Sequence, residues 1–322
     1  MAVHLMKGRR SVRAINILLA FVAWGAATFE VHAGLDRYRD LIVADRNWSP
    51  SPPRKGVRVT YLGTNAYLLE SRDATLLVDP YFSRVSLFRV ALNLPVASRR
   101  DLIERWLPVR KIDAILVTHG HVDHLLDASE IVMLTGAKLI ASPTSIRLAC
   151  SDGLPRQSCI PVIGGDTVRL HGMTVRVLGV KHDRLFCCVP FDGPVRRYPP
   201  RSAGDWVCGE PLAFLIEMGG RRIYIESGGQ PDGGPRLSPG RIDLAILGVA
   251  LPDSRRRFPQ TLERLRPRYV LPSHQDNFFL PLSRGFVFGP MTDFPFVLRA
   301  FRTASSGSSL ILLDYFRPWT LP

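Results

Sequence analysis

Apolar positions along this chain fall into two regimes: an uncharged, largely apolar run from Ala14 to Phe29, and then, from Val57 onward, the short periods expected of strands and helices. Val57–Leu62 and Ala66–Glu70 read as a strand pair around Gly63, Thr64 and Asn65, and Leu77-Val78 runs into Asp79-Pro80-Tyr81 at a strand end. Ser98 followed three residues later by Asp101 predicts a capping box opening a helix over Arg99–Trp106, which leads into a strand over Ile112–Val117. A helix over Ala128–Leu134 and a strand over Lys138–Ala141 follow. Ser142 and Pro143 then supply the N-cap and first-turn residue of a helix over Thr144–Ala149. The second half repeats the alternation, with strands at Val168–Leu170, Thr174–Leu178, Ala213–Met218, Arg222–Ile225 and Leu244–Leu247, a helix over Pro259–Leu265 and a strand over Arg268–Leu271. Strands alternating with helices predict an α/β protein. His171-Gly172 between two strands reads as a hairpin turn.

At 322 residues with 46 % hydrophobic content, the chain is long enough for one domain with a large core. The expected organisation is a folded catalytic domain over 57–322, preceded by a proline- and serine-rich linker over 34–56. The first 33 residues have the layout of an export signal: a basic head of Lys7, Arg9, Arg10 and Arg13, the apolar run, and Val31-His32-Ala33 as a small-residue cleavage site. Cleavage and retention as a membrane anchor both stay open, because the run is shorter than the roughly 20 residues that span a bilayer. Either outcome predicts a periplasmic or outward-facing, membrane-anchored protein.

Formal charge is +14, of which the first 33 residues hold +3 (four basic residues less Glu30), leaving +11 on the rest. Arginine supplies most of it, since lysines stand only at 7, 55, 111, 138 and 181. No basic helix, zinc finger or basic-aromatic RNA motif accompanies the charge, which argues against a nucleic-acid partner. An anionic small-molecule or lipid-like substrate, or a membrane surface, fits arginine better. Cys150, Cys159, Cys187, Cys188 and Cys208 lack the spacing of a structural zinc site and, in an oxidising compartment, read as disulfide partners: Cys150 with Cys159, and Cys187 or Cys188 with Cys208. Buried reduced thiols are the alternative.

The chemistry is concentrated in Thr118-His119-Gly120-His121-Val122-Asp123-His124-Leu125, directly after the apolar strand. His119 and His121 are two apart, so on an extended exit both project the same way and can grip one cation; Asp123 and His124 lie where the chain turns towards a helix and point to a neighbouring position. His182, at the end of a strand in Gly179-Val180-Lys181-His182, is the candidate third ligand of the first cation, and His274, closing Tyr269-Val270-Leu271, the candidate third ligand of the second. Asp79 is either a hydrogen-bond support for the motif loop or an ordinary turn residue. Between His182 and Leu212 runs a loop with neither helical nor strand period, holding Phe186, Phe191, Tyr198 and Trp206. It reads as a lid, with Arg184, Arg196, Arg197 and Arg201 as candidates for holding an anionic substrate, or else as a purely structural loop.

These residues together resemble the metallo-β-lactamase superfamily, from the opening strands at Val57 through the HxHxDH run and His182 to Leu271-Pro272-Ser273-His274. The resemblance implies an αββα four-layer sandwich with a metal site on one edge, one or two zinc ions as the usual occupants (manganese or iron also suiting such ligands), and hydrolysis of an ester, lactone or phosphodiester by metal-bound hydroxide with Asp123 orienting it. In detail the chain is most similar to the branch of ascorbate-phosphate lactonases and N-acyl phosphatidylethanolamine phospholipase D. One departure stands out: where such proteins carry an aspartate bridging both metals, this chain reads Glu226-Ser227-Gly228-Gly229-Gln230-Pro231-Asp232, leaving Glu226 or Asp232 as substitutes. Two other readings keep the same residues: an iron-dependent thiol oxygenase, and a non-catalytic metal-binding protein.

Overall fold

Runs of Val, Ile and Leu with a period of two build a seven-stranded and an eight-stranded sheet. The structure, a computed structural model, describes residues 34–322 apart from 48, 186–187, 232–239 and 305–306. In the first sheet β15 (Pro318–Leu321), β1 (Val57–Gly63), β2 (Ala66–Glu70) and β3 (Thr75–Val78) pair antiparallel, and β4 (Ala114–Leu116), β5 (Lys138–Ala141) and β6 (Cys159–Pro161) continue it in parallel. The second repeats that plan. β7 (Thr167–Leu170), β8 (Met173–His182), β9 (Leu212–Met218) and β10 (Arg221–Glu226) are antiparallel, with β11 (Gly229–Pro231) on the far side of β8; β12 (Leu244–Gly248), β13 (Tyr269–Ser273) and β14 (Ser309–Leu310) follow in parallel.

Alternation along the strands separates three apolar cores. Leu69, Leu76 and Ile140 meet Val175, Phe214, Ile225 and Ile246 between the sheets. Their neighbours Leu68, Leu77 and Leu139 face outward onto Ile103, Ile131 and Leu148 of the helices Arg100–Trp106, Ala128–Thr135 and Pro143–Ser151. On the other side Leu215, Tyr224 and Ala245 pack on Phe258, Leu262 and Val297 of the helices Ser254–Leu265 and Phe294–Ala304. Three cores between four layers make the αββα sandwich that the resemblance implies.

Several local expectations change. Ser98 does not cap the helix that starts at Arg100; its hydroxyl donates to Asp127 Oδ1 at 2.9 Å, and Asp101 pairs with Arg99 on the surface. The helix expected over Pro259–Leu265 begins at Ser254, with Pro259 inside it rather than at its start. Helix Phe294–Ala304, β14 and β15 close the domain where the sequence alone assigned nothing. Residues 34–56 are not a loose tether: Leu35 is buried in the third core, and Val43 N donates to Leu312 O at 3.0 Å. Cys150 and Cys159 stand with their sulfurs 3.8 Å apart, beyond the roughly 2.05 Å of a disulfide, and Cys208 is a buried thiol. The expected disulfides are therefore absent among the described residues. Cys187 and the export segment lie outside them. Among the described residues no helix is long and apolar enough to cross a membrane.

Arg58 on β1 and Glu70 on β2 form a buried pair, Nε to Oε2 at 2.9 Å and Nη2 to Oε1 at 2.8 Å, and Arg58 Nη1 also holds the carbonyls of Ser49 and Ser51. Replacing one member of such a pair strands the other charge. Arg58→Ala should lower stability by about 3–5 kcal/mol in denaturant titration, whereas Arg58→Met with Glu70→Leu should recover most of that loss.

Candidate metal centre

Beyond β4 the chain bends at Thr118 and Gly120, and His121 is the N-cap of a single helical turn, Val122–Leu125. Gly120 sits between the two histidines for a steric reason: a Cβ there would meet the Val207 carbonyl oxygen at 2.3 Å. The later loop lies directly against the motif, with Gly120 N donating to Cys208 O at 2.9 Å and Leu212 N to Thr118 O at 2.7 Å.

His119 Nε2 and His121 Nδ1 come within 2.8 Å, and His182 Nε2 lies 3.2 Å from His119 Nε2. The other nitrogen of each ring is engaged outside the cluster. His182 Nδ1 faces the Asp183 carbonyl at 2.6 Å and His121 Nε2 the Pro190 carbonyl at 2.8 Å. Thr118 Oγ1 donates to Asp79 Oδ2 at 2.6 Å, so it presents a lone pair to His119 Nδ1 at 3.0 Å. Assigned from these partners, each N–H points outward and three lone pairs converge with no proton among them. Burial, reinforced by the neighbouring imidazoles, holds His119 well below the ordinary imidazole range; burial above all brings His121 to about 3 and His182 to about 4. Crowded neutral nitrogens of this kind are the donor set of a cation.

A second triad adjoins it. His274 Nε2 lies 3.0 Å and His124 Nε2 3.3 Å from Asp123 Oδ2, and the His119 and His124 ring centroids are 4.1 Å apart. His124 Nδ1 donates to Asp79 Oδ2 at 2.9 Å. Burial disfavours charge on His124, but Asp123 and Asp79 outweigh it and lift its pKa to about 10. Burial likewise opposes ionisation of Asp123, and His124 and His274 reverse the balance, keeping its carboxyl well below the usual range. The Nε2 proton of His124 thus sits where a cation would.

Backbone strain gathers here: Asp79 (φ 39°), Thr64 (φ 56°) and His274 (φ 54°) all adopt left-handed conformations. Further contacts hold them. His274 N donates to Thr64 O at 2.8 Å, and Thr64 N donates to Asp276 Oδ1 at 2.9 Å. Asp276 also accepts from Arg84 Nη1 at 2.8 Å and from the Tyr315 hydroxyl. Two aromatic rings wall the site, Phe191 edge-on to His121 at 6.2 Å and Phe278 edge-on to His274 at 4.7 Å.

All six candidate side chains meet in two groups, His119, His121 and His182, and Asp123, His124 and His274, the donor atoms of each within 4.8 Å of one another. Asp79 is a hydrogen-bond support rather than a bare turn: it accepts from Asn65, Thr118 and His124. Glu226 does not reach the centre. Its oxygens accept from Gly229 N, Gly248 N and Arg257 Nη1, the last at 2.6 Å, while Asp232 lies outside the described residues. Of the lid arginines, Arg184 pairs with Asp253 at 3.1 Å, and Arg196, Arg197 and Arg201 are exposed. His171, at φ 41°, turns the β7–β8 hairpin as expected. Sequence reading missed Arg257, which binds Asp183, Glu226 and Gly248 O together. A helix started at Ser254 would have shown it, because Arg257 then shares the buried face with Phe258, Thr261, Leu262 and Leu265.

A family model described as a beta-lactamase superfamily domain matches residues 58–274. A protein of Heliobacterium modesticaldum, named UPF0173 metal-dependent hydrolase, is 28 % identical over 236 residues, which cover 69 % of this chain and 84 % of that one. A like-named protein of Rubrobacter xylanophilus is 29 % identical over 234 residues, covering 70 % and 85 %. The structure of Igni18, a metallo hydrolase from Ignicoccus hospitalis, shares the fold with a TM-score of 0.54 at 18 % identity, over 83 % of this chain and 98 % of that one.

Two outcomes follow from the geometry. Asp79→Asn turns an amide N–H towards three donors and should weaken cation binding about 10–100-fold in chelator competition, with the fold retained by circular dichroism. Without a cation, thermal stability should peak near pH 6.5. Below about pH 6.5 the unfolded histidines take up protons that folded His182, at about 4, and His121, at about 3, refuse, so stability falls as pH falls. His124, at about 10, contributes stability that is complete below about pH 6.5 and lost as pH rises to about 10. Melting curves across pH, with chelator and with added zinc, check both limbs; zinc should remove the alkaline decline, because it displaces the proton on His124.

Proposed function

Because this chain belongs to the beta-lactamase superfamily, we propose that it is a metal-dependent hydrolase that cleaves an ester, lactone or phosphodiester of an anionic substrate. The observation that carries this reading is the pair of adjoining triads, in which three ring nitrogens converge unprotonated beside a carboxylate. The metal-dependent hydrolases among its relatives support it. His119, His121 and His182 would hold one cation, Asp123, His124 and His274 a second, and nitrogen-rich sets of this kind suit zinc. When bound, such cations supply Lewis acidity that lowers the pKa of water towards neutrality and polarises a substrate oxygen.

The chain's own groups do the rest. Asp123, kept ionised, offers an anionic acceptor that can orient and receive the proton of an O–H group between the triads. Asp79 fixes the ring of His124, and Pro190 that of His121, so neither ring can swing away during turnover. Phe191 and Phe278 limit water on the two flanks. Exposed Arg196, Arg197 and Arg201, in the same loop as Pro190 and Phe191, would attract the anionic part of a substrate. Residues 1–33 would direct export, setting this chemistry in the periplasm or on an outward membrane face.

His121→Ala tests the reading. Protein isolated without added metal should contain zinc by elemental analysis, and the variant should lose metal and turnover of phosphodiester and lactone probes together. Hydrolysis that persists in chelated, metal-free protein would refute the assignment. Iron as the native metal, with oxygen-dependent thiol oxidation, would replace it by an oxygenase.

A further inference from the structure

We propose that the short helix Leu87–Ala91 and the loop around Tyr198 form one docking surface for an anionic lipid bilayer. The proposal concerns where the protein sits and stands whether or not the metal centre hydrolyses anything.

Helix Leu87–Ala91 is apolar at four of its five positions; Leu87, Val90 and Ala91 are half-buried, Val90 against the first core, and Phe88 is left exposed. Phe88 is 66 % exposed and Leu92 48 %, and standing four positions apart along a helical turn they project from one side. Tyr198, 52 % exposed, stands three residues before Arg201, where its loop meets the chain that leaves the helix. The helix and the loop are stitched together: Val96 N donates to Arg201 O at 2.8 Å, Pro95 bridges Ser202, and Gly204 N donates to Asn93 Oδ1 at 3.0 Å. Scattered exposed apolar residues are ordinary, but gathered ones mark a contact surface.

Charge decides what that surface contacts. Arg89 next to Phe88 in the helix, and Arg196, Arg197 and Arg201 on either side of Tyr198 along the loop, are all exposed. Nearby Asp205 is occupied internally, accepting from Arg201 N, Ser202 N and Ser202 Oγ. Three protruding side chains fall well short of the roughly 1,200 Å² that a specific protein interface buries. They are enough for insertion at a lipid interface when arginines sit at the headgroups, where each basic residue is worth about fivefold in partitioning to an anionic leaflet. The basic head and apolar run, proposed above as an export segment, would bring the chain to the same surroundings. The surface is also continuous with the metal centre: Cys208 N donates to Phe191 O at 3.3 Å, Gly120 N to Cys208 O at 2.9 Å, and His121 to Pro190 O.

Amide exchange on the full chain tests this with a local read-out that the leading segment cannot supply. Vesicles of phosphatidylcholine with about 30 % phosphatidylglycerol should slow exchange in residues 86–96 and 194–202 by about tenfold, and phosphatidylcholine alone should do so far less. Phe88→Glu with Leu92→Glu, and separately Arg196→Glu with Arg197→Glu, should abolish that protection at unchanged metal content. The first pair should also leave hydrolysis of a soluble substrate unchanged. Exchange in these segments that ignores anionic vesicles, or protection that survives both pairs, would overturn the proposal. Protection that instead follows the protein's own concentration would overturn it too, assigning the surface to a second copy.

Discussion

Three unprotonated ring nitrogens at 2.8 and 3.2 Å repel one another, and the rest of the site is arranged so that they stay there. No ring can turn a proton inward, because each has its one N–H committed to an oxygen outside the cluster. Those oxygens belong to Thr118 beside the motif, Pro190 in the loop above it and Asp183 after β8. Each is itself anchored. Asp79 fixes Thr118, a backbone bond from Asp183 N to Gly228 O at 2.7 Å fixes the turn after His182, and the steric demand at Gly120 brings the later loop into place. The donor set is thus preorganised at the expense of local repulsion that a cation relieves.

Two buried arginines extend this frame to the second sheet. Arg257, on the helix Ser254–Leu265, joins Asp183 to Glu226, tying the residue after one ligand to the end of β10. Arg84 joins the segment after β3 to Asp276, two residues beyond His274. Buried ion pairs gain little net stability, since desolvation cancels most of the attraction. Their worth here is positional: Arg84 connects strand ends from opposite halves of the sandwich and Arg257 connects two strand ends within the second sheet, where apolar packing would allow the loops to slide.

What was legible in the sequence follows the same division. Short, nearly continuous apolar strands and the Ser142-Pro143 helix start could be placed almost to the residue, because local propensity and burial agree there. The six donor residues were legible because ligand chemistry concentrates rare residue types at strand ends. Tertiary partners were not. Ser98 fits a helix cap, but Asp127 takes its hydroxyl; Pro259 fits a helix start, but the helix continues upstream of it and hides Arg257 in a run of arginines. Glu226 was a plausible bridging carboxylate by position, and only the fold shows that Arg257 and two backbone amides occupy it. Charges that satisfy one another across 74 or 192 residues leave no local trace.

With Glu226 engaged elsewhere, the two triads differ in kind. The first offers three neutral imidazoles and no charge, so its affinity rests on lone pairs alone. The second has Asp123 in contact and Asp79 one ring removed, through His124. Their negative charge favours a cation there, but at neutral pH the same charge keeps a proton on His124, which an incoming cation must expel. Loading of the second triad is therefore the proton-linked step, while the first, whose rings are already neutral, loads without proton release over the same range.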